Sequence, residues 1–256
     1  MKHYVPCLML AVLLAGCDSQ NKSTDANQAS PKKEQQVYAL QSTSYKWPPP
    51  KQNNQIAAKL LTKNYYLVLD GSGSMSESTC AAGSRKINIA KAAVAQFISQ
   101  IPVDANVGLL IFDINGVGQR EPLGLDRQAI LHDVATMEAG GSTPLRSAIN
   151  VAYRALTAQA QAQLGYGEYH LVVITDGEAD GDEDPGLVVH DILDNTPIVL
   201  HTIGFCIKSG HSLNIPGMTD YRSANNPEEL RQGLSDVLAE STQYTVDTFK
   251  QEPMPK

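Results

Sequence analysis

Four apolar runs of strand length punctuate the chain, and between them the apolar positions shift to helical spacing. Tyr65-Tyr66-Leu67-Val68-Leu69, the stretch 106–112 with Val107, Leu109, Leu110 and Ile111, Leu171-Val172-Val173-Ile174, and the stretch 198–203 are nearly continuous. Runs of this kind suit strands covered on both faces. Ile87, Ala90, Val94, Phe97, Ile98 and Ile101 recur every three or four residues and predict a helix over 85–100. Asp126 is placed to cap a helix reaching about residue 137. A long Ala- and Gln-rich helix is predicted over 144–163, a short one over 187–193 and a last one over 227–238. A Gly-containing stretch at 116–125 predicts a short edge hairpin. Strands alternating with helices predict an α/β fold: a doubly wound, mostly parallel sheet with helices on both faces and one antiparallel edge strand.

The first part of the chain has a different texture. Lys2 and His3 precede an apolar stretch from Val5 to Ala15, which ends in Leu14-Ala15-Gly16-Cys17. The stretch is shorter than the roughly 20 apolar residues of a membrane-spanning helix, so it reads as a cleaved secretory signal over 1–16. The small residues before Cys17 resemble a bacterial lipoprotein signal, which implies that Cys17 carries lipid such as palmitate and anchors the chain in the cell envelope. Asp18 next to it implies retention on the periplasmic face of the inner membrane in enteric-type bacteria, with the outer membrane as the alternative. Residues 17–54 are rich in Ser, Gln, Asn, Lys and Pro without apolar period, and read as a flexible tether. Trp47, the one tryptophan, is expected to dock on the folded domain. The domain itself is expected over 55–242 and a polar tail over 243–256.

Composition narrows the partners. A hydrophobic content of 42% supports a sizeable core, and a net charge of −7 argues against nucleic acid, which calls for a basic surface. With Cys7 lost with the signal and Cys17 lipidated, Cys80 and Cys206 remain, an even number in an oxidising compartment. Both follow strands at one end of the sheet, and a disulfide between them is expected.

Candidate chemistry gathers at that same end, where ligands bind in open α/β sheets. Asp70-Gly71-Ser72-Gly73-Ser74 sets a carboxylate and two hydroxyls at alternate positions just past the first strand. Oxygen ligands of this kind suit a hard divalent cation. Alone, the string is equally a polar turn. Thr143, before Pro144, and Thr175-Asp176-Gly177 follow in order, each after a strand or at a helix start. Together the three elements, within residues 60–240, resemble the von Willebrand factor A domain, whose fold is Rossmann-like. The resemblance implies a metal-ion-dependent adhesion site. Ser72, Ser74 and Thr143 would ligate Mg²⁺ or Mn²⁺ directly, Ca²⁺ fitting less well, and Asp70 and Asp176 would act through oriented waters. The remaining coordination position would take an Asp or Glu carboxylate from a protein partner.

Rival readings fare less well. The acidic loop Asp176, Glu178, Asp180, Asp182, Glu183, Asp184 fails as an EF-hand, because its twelfth position is Leu187 where a bidentate Glu is required. Residues 180–184 read as a solvated loop, or as a rim for a basic partner. A metal-dependent hydrolase using Ser72 or Ser74 with His170, His190, His201 or His211 lacks a Gly-x-Ser-x-Gly elbow. A phosphate loop is excluded by the missing Gly-Lys-Ser/Thr. His170 and His201 lie on or beside buried strands and read as satisfied core histidines. The expectation is therefore a non-enzymatic binding module with no small-molecule substrate. The alternative is an assembly subunit of an envelope complex in which the metal serves stability.

Overall fold

The computed structural model describes residues 46–50, 55–207 and 211–241. The expected signal, Cys17 and most of the tether lie outside the described residues, as does the expected tail.

Strand β1 (Lys63–Asp70) is central, and the helix after it, α1 (Lys86–Gln100), is reached through a 3₁₀ turn at Gly73–Ser76. Then come β2 (Asn106–Asp113), β3 (Gly116–Gly124), α2 (Arg127–Thr136), α3 (Leu145–Ala162), β4 (Glu168–Thr175), α4 (Gly186–Asn195), β5 (Val199–Phe205), β6 (Asp220–Ala224) and α5 (Pro227–Ser241). The six strands form one sheet in the order β3-β2-β1-β4-β5-β6. Only the β2–β3 pair is antiparallel. The expected doubly wound sheet with one antiparallel edge is the observed fold.

Alternation along the strands divides the core in two. Tyr65, Leu67, Leu69, Leu109, Ile111, Val172 and Ile174 face one layer with α1, α2 and α5, while Tyr66, Val68, Leu110, Phe112, Leu171 and Val173 face the other with α3 and α4. Successive strand side chains point to opposite faces, so a strand covered on both is apolar along its middle, with polar groups only near its ends. That is why β1, β2 and β4 read as unbroken runs.

Two elements depart from the expectation. The 116–125 stretch forms one edge strand, β3, whose hairpin partner is β2. Strand β6, Asp-Tyr-Arg-Ser-Ala, was not foreseen; it pairs only with β5 and carries no apolar run. Trp47 docks as expected: its ring meets Tyr169 edge-on at 5.1 Å, and its indole N–H donates to the Thr157 hydroxyl at 3.1 Å. No helix among the described residues is long and apolar enough to cross a membrane.

From β1 the chain winds outward through β2 and β3; β4 then starts on the other side of β1. The β1–β4 seam is thus the point where strand order reverses, and the crevice for a ligand lies at its carboxyl end. Asp70 ends β1 and Asp176 directly follows β4.

Candidate metal centre at the switch point

Asp70 organises the seam. Its Oδ1 accepts the Ser72 N–H at 2.7 Å, closing a tight turn, and its Oδ2 accepts the Thr175 hydroxyl at 2.6 Å and the Asp176 N–H at 3.4 Å. One carboxylate therefore ties the loop after β1 to the loop after β4. Burial, then the charge of Asp176, pushes its pKa up to about 6, against hydrogen bonds from Ser72 and Thr175 that pull it down. Gly71 makes the turn possible: its N–H donates to the Phe112 carbonyl at 2.7 Å, and a Cβ there would lie 2.9 Å from that of Asp113.

Ser72 precedes the 3₁₀ turn and Ser74 lies within it, next to buried Met75. Their hydroxyl oxygens are 3.1 Å apart, and Ser74 donates to Asp176 Oδ1 at 2.7 Å. With its proton committed to Asp176, the Ser74 oxygen keeps lone pairs to offer. Asp70, Ser72, Ser74 and Asp176 thus form one hydrogen-bonded group.

Thr143 stands in the adjoining loop. That loop is joined to the serine loop by Gly73 N–H to Gly141 O at 3.2 Å and Gly140 N–H to Gly71 O at 2.8 Å, with Gly141 at φ +81°. The Thr143 hydroxyl makes no hydrogen bond to the other four side chains among the described residues.

The acidic loop is not simply solvated. Asp180 accepts the Thr143 N–H at 3.0 Å, and Glu183 accepts both the N–H and the hydroxyl of Ser147, at 2.7 and 2.8 Å. Pro144 precedes α3 and gives it no side-chain cap, so Glu183 satisfies the open Ser147 N–H of its first turn, Asp180 holds the Thr143 N–H just before the helix, and both charges complement its dipole. The residues after β5 brace the same region. His211 Nε2 meets the Gly177 carbonyl at 2.8 Å, and Glu178 accepts the Ser212 N–H at 3.2 Å.

The expected disulfide is present: Cys80 and Cys206, 126 residues apart, are bonded with their Cα atoms at 6.1 Å. It ties the loop after the serines to the end of β5. The core histidines are satisfied, at the opposite end of the sheet, with His170 Nδ1 3.2 Å from His201 Nε2, and His201 Nδ1 3.0 Å from Asp220.

Sequence reasoning missed Lys86. The first residue of α1, it is buried, and its ammonium donates to Asp176 Oδ2 at 2.9 Å and to Glu77 at 3.1 Å. Burial favours its neutral form, but bonding and attraction to Asp176 and Glu77 outweigh this and raise its pKa, so it stays charged. A signal existed: Lys86 shares one helical stripe with Ala90, Ala93 and Phe97, and a charge on an apolar stripe calls for a buried partner.

The donor set suits a hard cation: five side chains offer only oxygen, three of them as neutral hydroxyls.

Comparison with known proteins agrees with this architecture. Residues 65–178 match the family model described as the von Willebrand factor type A domain. The uncharacterized protein YwmD of Bacillus subtilis is 27% identical over 196 residues, covering 69% of this chain and 85% of that one. The pilus adhesin SpaC from Lactobacillus rhamnosus GG superposes with a TM-score of 0.55 at 14% identity over 73% of this chain, which spans only 31% of that protein. The vWF domain of the type V pilus tip protein Mfa5 from Porphyromonas gingivalis gives 0.54 at 11% identity, over 72% of this chain and 96% of that one. At these identities the two structures show the fold alone, and what the family model supports is a von Willebrand factor type A domain matched at residues 65–178 of this chain.

Proposed function

We propose that this domain binds a divalent cation, Mg²⁺ or Mn²⁺, and through it an acidic group of a protein partner. The observation that carries this reading is the joining of Asp70, Ser72, Ser74 and Asp176 at the strand-order reversal. Ser72, Ser74 and Thr143 would hold the ion, and Asp70 and Asp176 would act through oriented waters. Bound there, the ion supplies a Lewis-acidic position open to a carboxylate. Asp70 holds the serine loop in register with β4, and Asp176 fixes the Ser74 proton so that its lone pairs face outward. That two structures sharing the fold come from a pilus adhesin and a pilus tip protein supports a protein-binding role. The domain acts by binding and not by catalysis, and we place it at the cell envelope, held by lipid on Cys17 and facing the periplasm.

The test is Ser74→Ala. Calorimetry with Mn²⁺ on metal-stripped protein should show binding to the wild type and a loss of tenfold or more in the variant, while the melting temperature without metal stays within a few degrees. Equal Mn²⁺ binding by both would remove the site.

A further inference from the structure

The serine loop and its carboxylates account for cation binding, but they do not explain a buried ammonium in their midst. The Lys86 side chain is 6% exposed, and the Asp176 carboxylate it meets is fully buried. Asp176 is shared evenly: Oδ1 takes the Ser74 hydroxyl and Oδ2 takes the ammonium. Lys86 opens α1 on the stripe that buries Ala90, Ala93 and Phe97, so its stem is packed and its charge is fixed beside the crevice. Buried charges persist only when compensated, and here Lys86 compensates Asp176 with no metal needed.

We propose that Lys86 is a resident counter-ion of the hydroxyl site, one that lowers its affinity for a divalent cation and couples cation binding to the arrival of an anionic group. This rests on the cation-site reading above and specifies how that site is regulated. The charge count gives the direction. Asp70, Asp176 and Lys86 sum to −1, and a dication turns this to +1, a charge that an incoming carboxylate cancels. Without Lys86 the pair of carboxylates sums to −2, and a dication alone neutralises it. The ammonium would also repel a dication held by the neighbouring hydroxyls, in a poorly solvated crevice where like charges interact far more strongly than in water. Lys86 thus trades affinity for the bare ion against affinity for the ion together with its anionic ligand. The positively charged loaded state is also the one with most to gain from the partner. Glu77, the other acceptor of the ammonium, has a side chain 58% exposed and adds a screened charge to this balance.

Three variants of the full chain test this: Lys86→Gln, which keeps a donor for Asp176 without the charge, Lys86→Met, and Lys86→Arg. Mn²⁺ is titrated into stripped protein by calorimetry, alone and with acetate as the anionic probe. Lys86→Gln and Lys86→Met should bind Mn²⁺ about tenfold tighter than wild type, while Lys86→Arg should bind like wild type. A role confined to bracing Asp176 predicts weaker binding in the uncharged variants, because a loosened site loses ligands. Acetate should raise the apparent Mn²⁺ affinity of the wild type and do so less in Lys86→Gln. Melting in EDTA should show the uncharged variants less stable than wild type, with a larger gain on adding Mn²⁺. Should Lys86→Met not fold without metal, Lys86→Gln carries the same comparison. Unchanged or weaker Mn²⁺ binding in Lys86→Gln, with wild type and Lys86→Arg binding normally, overturns the counter-ion role and leaves the cation site standing. No acetate effect in the wild type overturns the coupling. No Mn²⁺ binding by the wild type overturns both the counter-ion and the site.

Discussion

The two ends of the central strands both bury polar groups, and they use them in opposite ways. At the amino end the Asn64 amide nitrogen donates to the Thr62 carbonyl, Gln163 Oε1 and the Glu168 carbonyl at 2.8–3.0 Å, and its oxygen accepts from Asn106 at 2.9 Å. Gln163 in turn donates to the Leu60 and Thr62 carbonyls. Every capacity there is spent, and the result is a strut that fixes α3 and the entry to β1 against β4. At the carboxyl end Asp70 is equally committed, but the hydroxyls of Ser72, Ser74 and Thr143 keep lone pairs without protein donors. A saturated polar cluster is architecture; a partly open one, held in place by a saturated neighbour, is a candidate site.

Three measurements bear on this contrast. The largest effect belongs to the disulfide. Replacing both Cys80 and Cys206 by Ser should lower stability by about 4 kcal/mol, since the bond closes a long loop in the unfolded chain. Mn²⁺ affinity should change little, because hydrogen bonds place the serine loop. A parallel collapse of Mn²⁺ binding would mean that the carboxyl end depends on the covalent tie and not on Asp70. Next, Asn64→Leu should cost about 3 kcal/mol in chemical denaturation by stranding Gln163 and the Glu168 carbonyl, with Mn²⁺ affinity unchanged. Together with Ser74→Ala it makes a crossed pair, one variant losing stability and the other the ion. If both lose both, the ends are not separable.

The smallest effect is a pH slope. Burial, then the neighbouring His201, pulls the pKa of His170 down to about 4, with Glu168 acting the other way and Lys63 adding to the depression. The folded protein favours the neutral ring, so this contribution is whole above the unfolded value near 6.5 and is lost as pH falls from there toward 4. Wild type should therefore lose somewhat more stability than His170→Gln over that interval. Parallel stability curves for the two proteins would show that the ring is not held neutral by its surroundings.

How much of this was legible in the sequence depended on whether a residue's environment lay in its own neighbourhood. Strands β1, β2 and β4 could be read directly because burial on both faces leaves their middle positions apolar. Strand β6 could not, since at a sheet edge backbone pairing does the work that apolar side chains do in the centre, and only Tyr221 and Ala224 hint at burial. The pattern Asp70, Ser72, Ser74 was visible because short-range spacing sets its convergence. The contacts from Asp180 and Glu183 to Thr143 and to the start of α3 were not, because they cross 37 and 36 residues and look, in sequence, like any run of acids. Lys86 fell between these cases: its stripe was legible, but its partner lay 90 residues away.

The Cys80–Cys206 bond has a further consequence, for durability. Asp70, Ser72 and Ser74 precede the closed segment, while Lys86, Thr143 and Asp176 lie inside it. A protease that nicks the exposed positions 181 and 182 leaves two fragments that remain one covalent molecule, with every oxygen of the crevice still tethered to the others. A cut in this loop then becomes a scar and not a loss of the crevice.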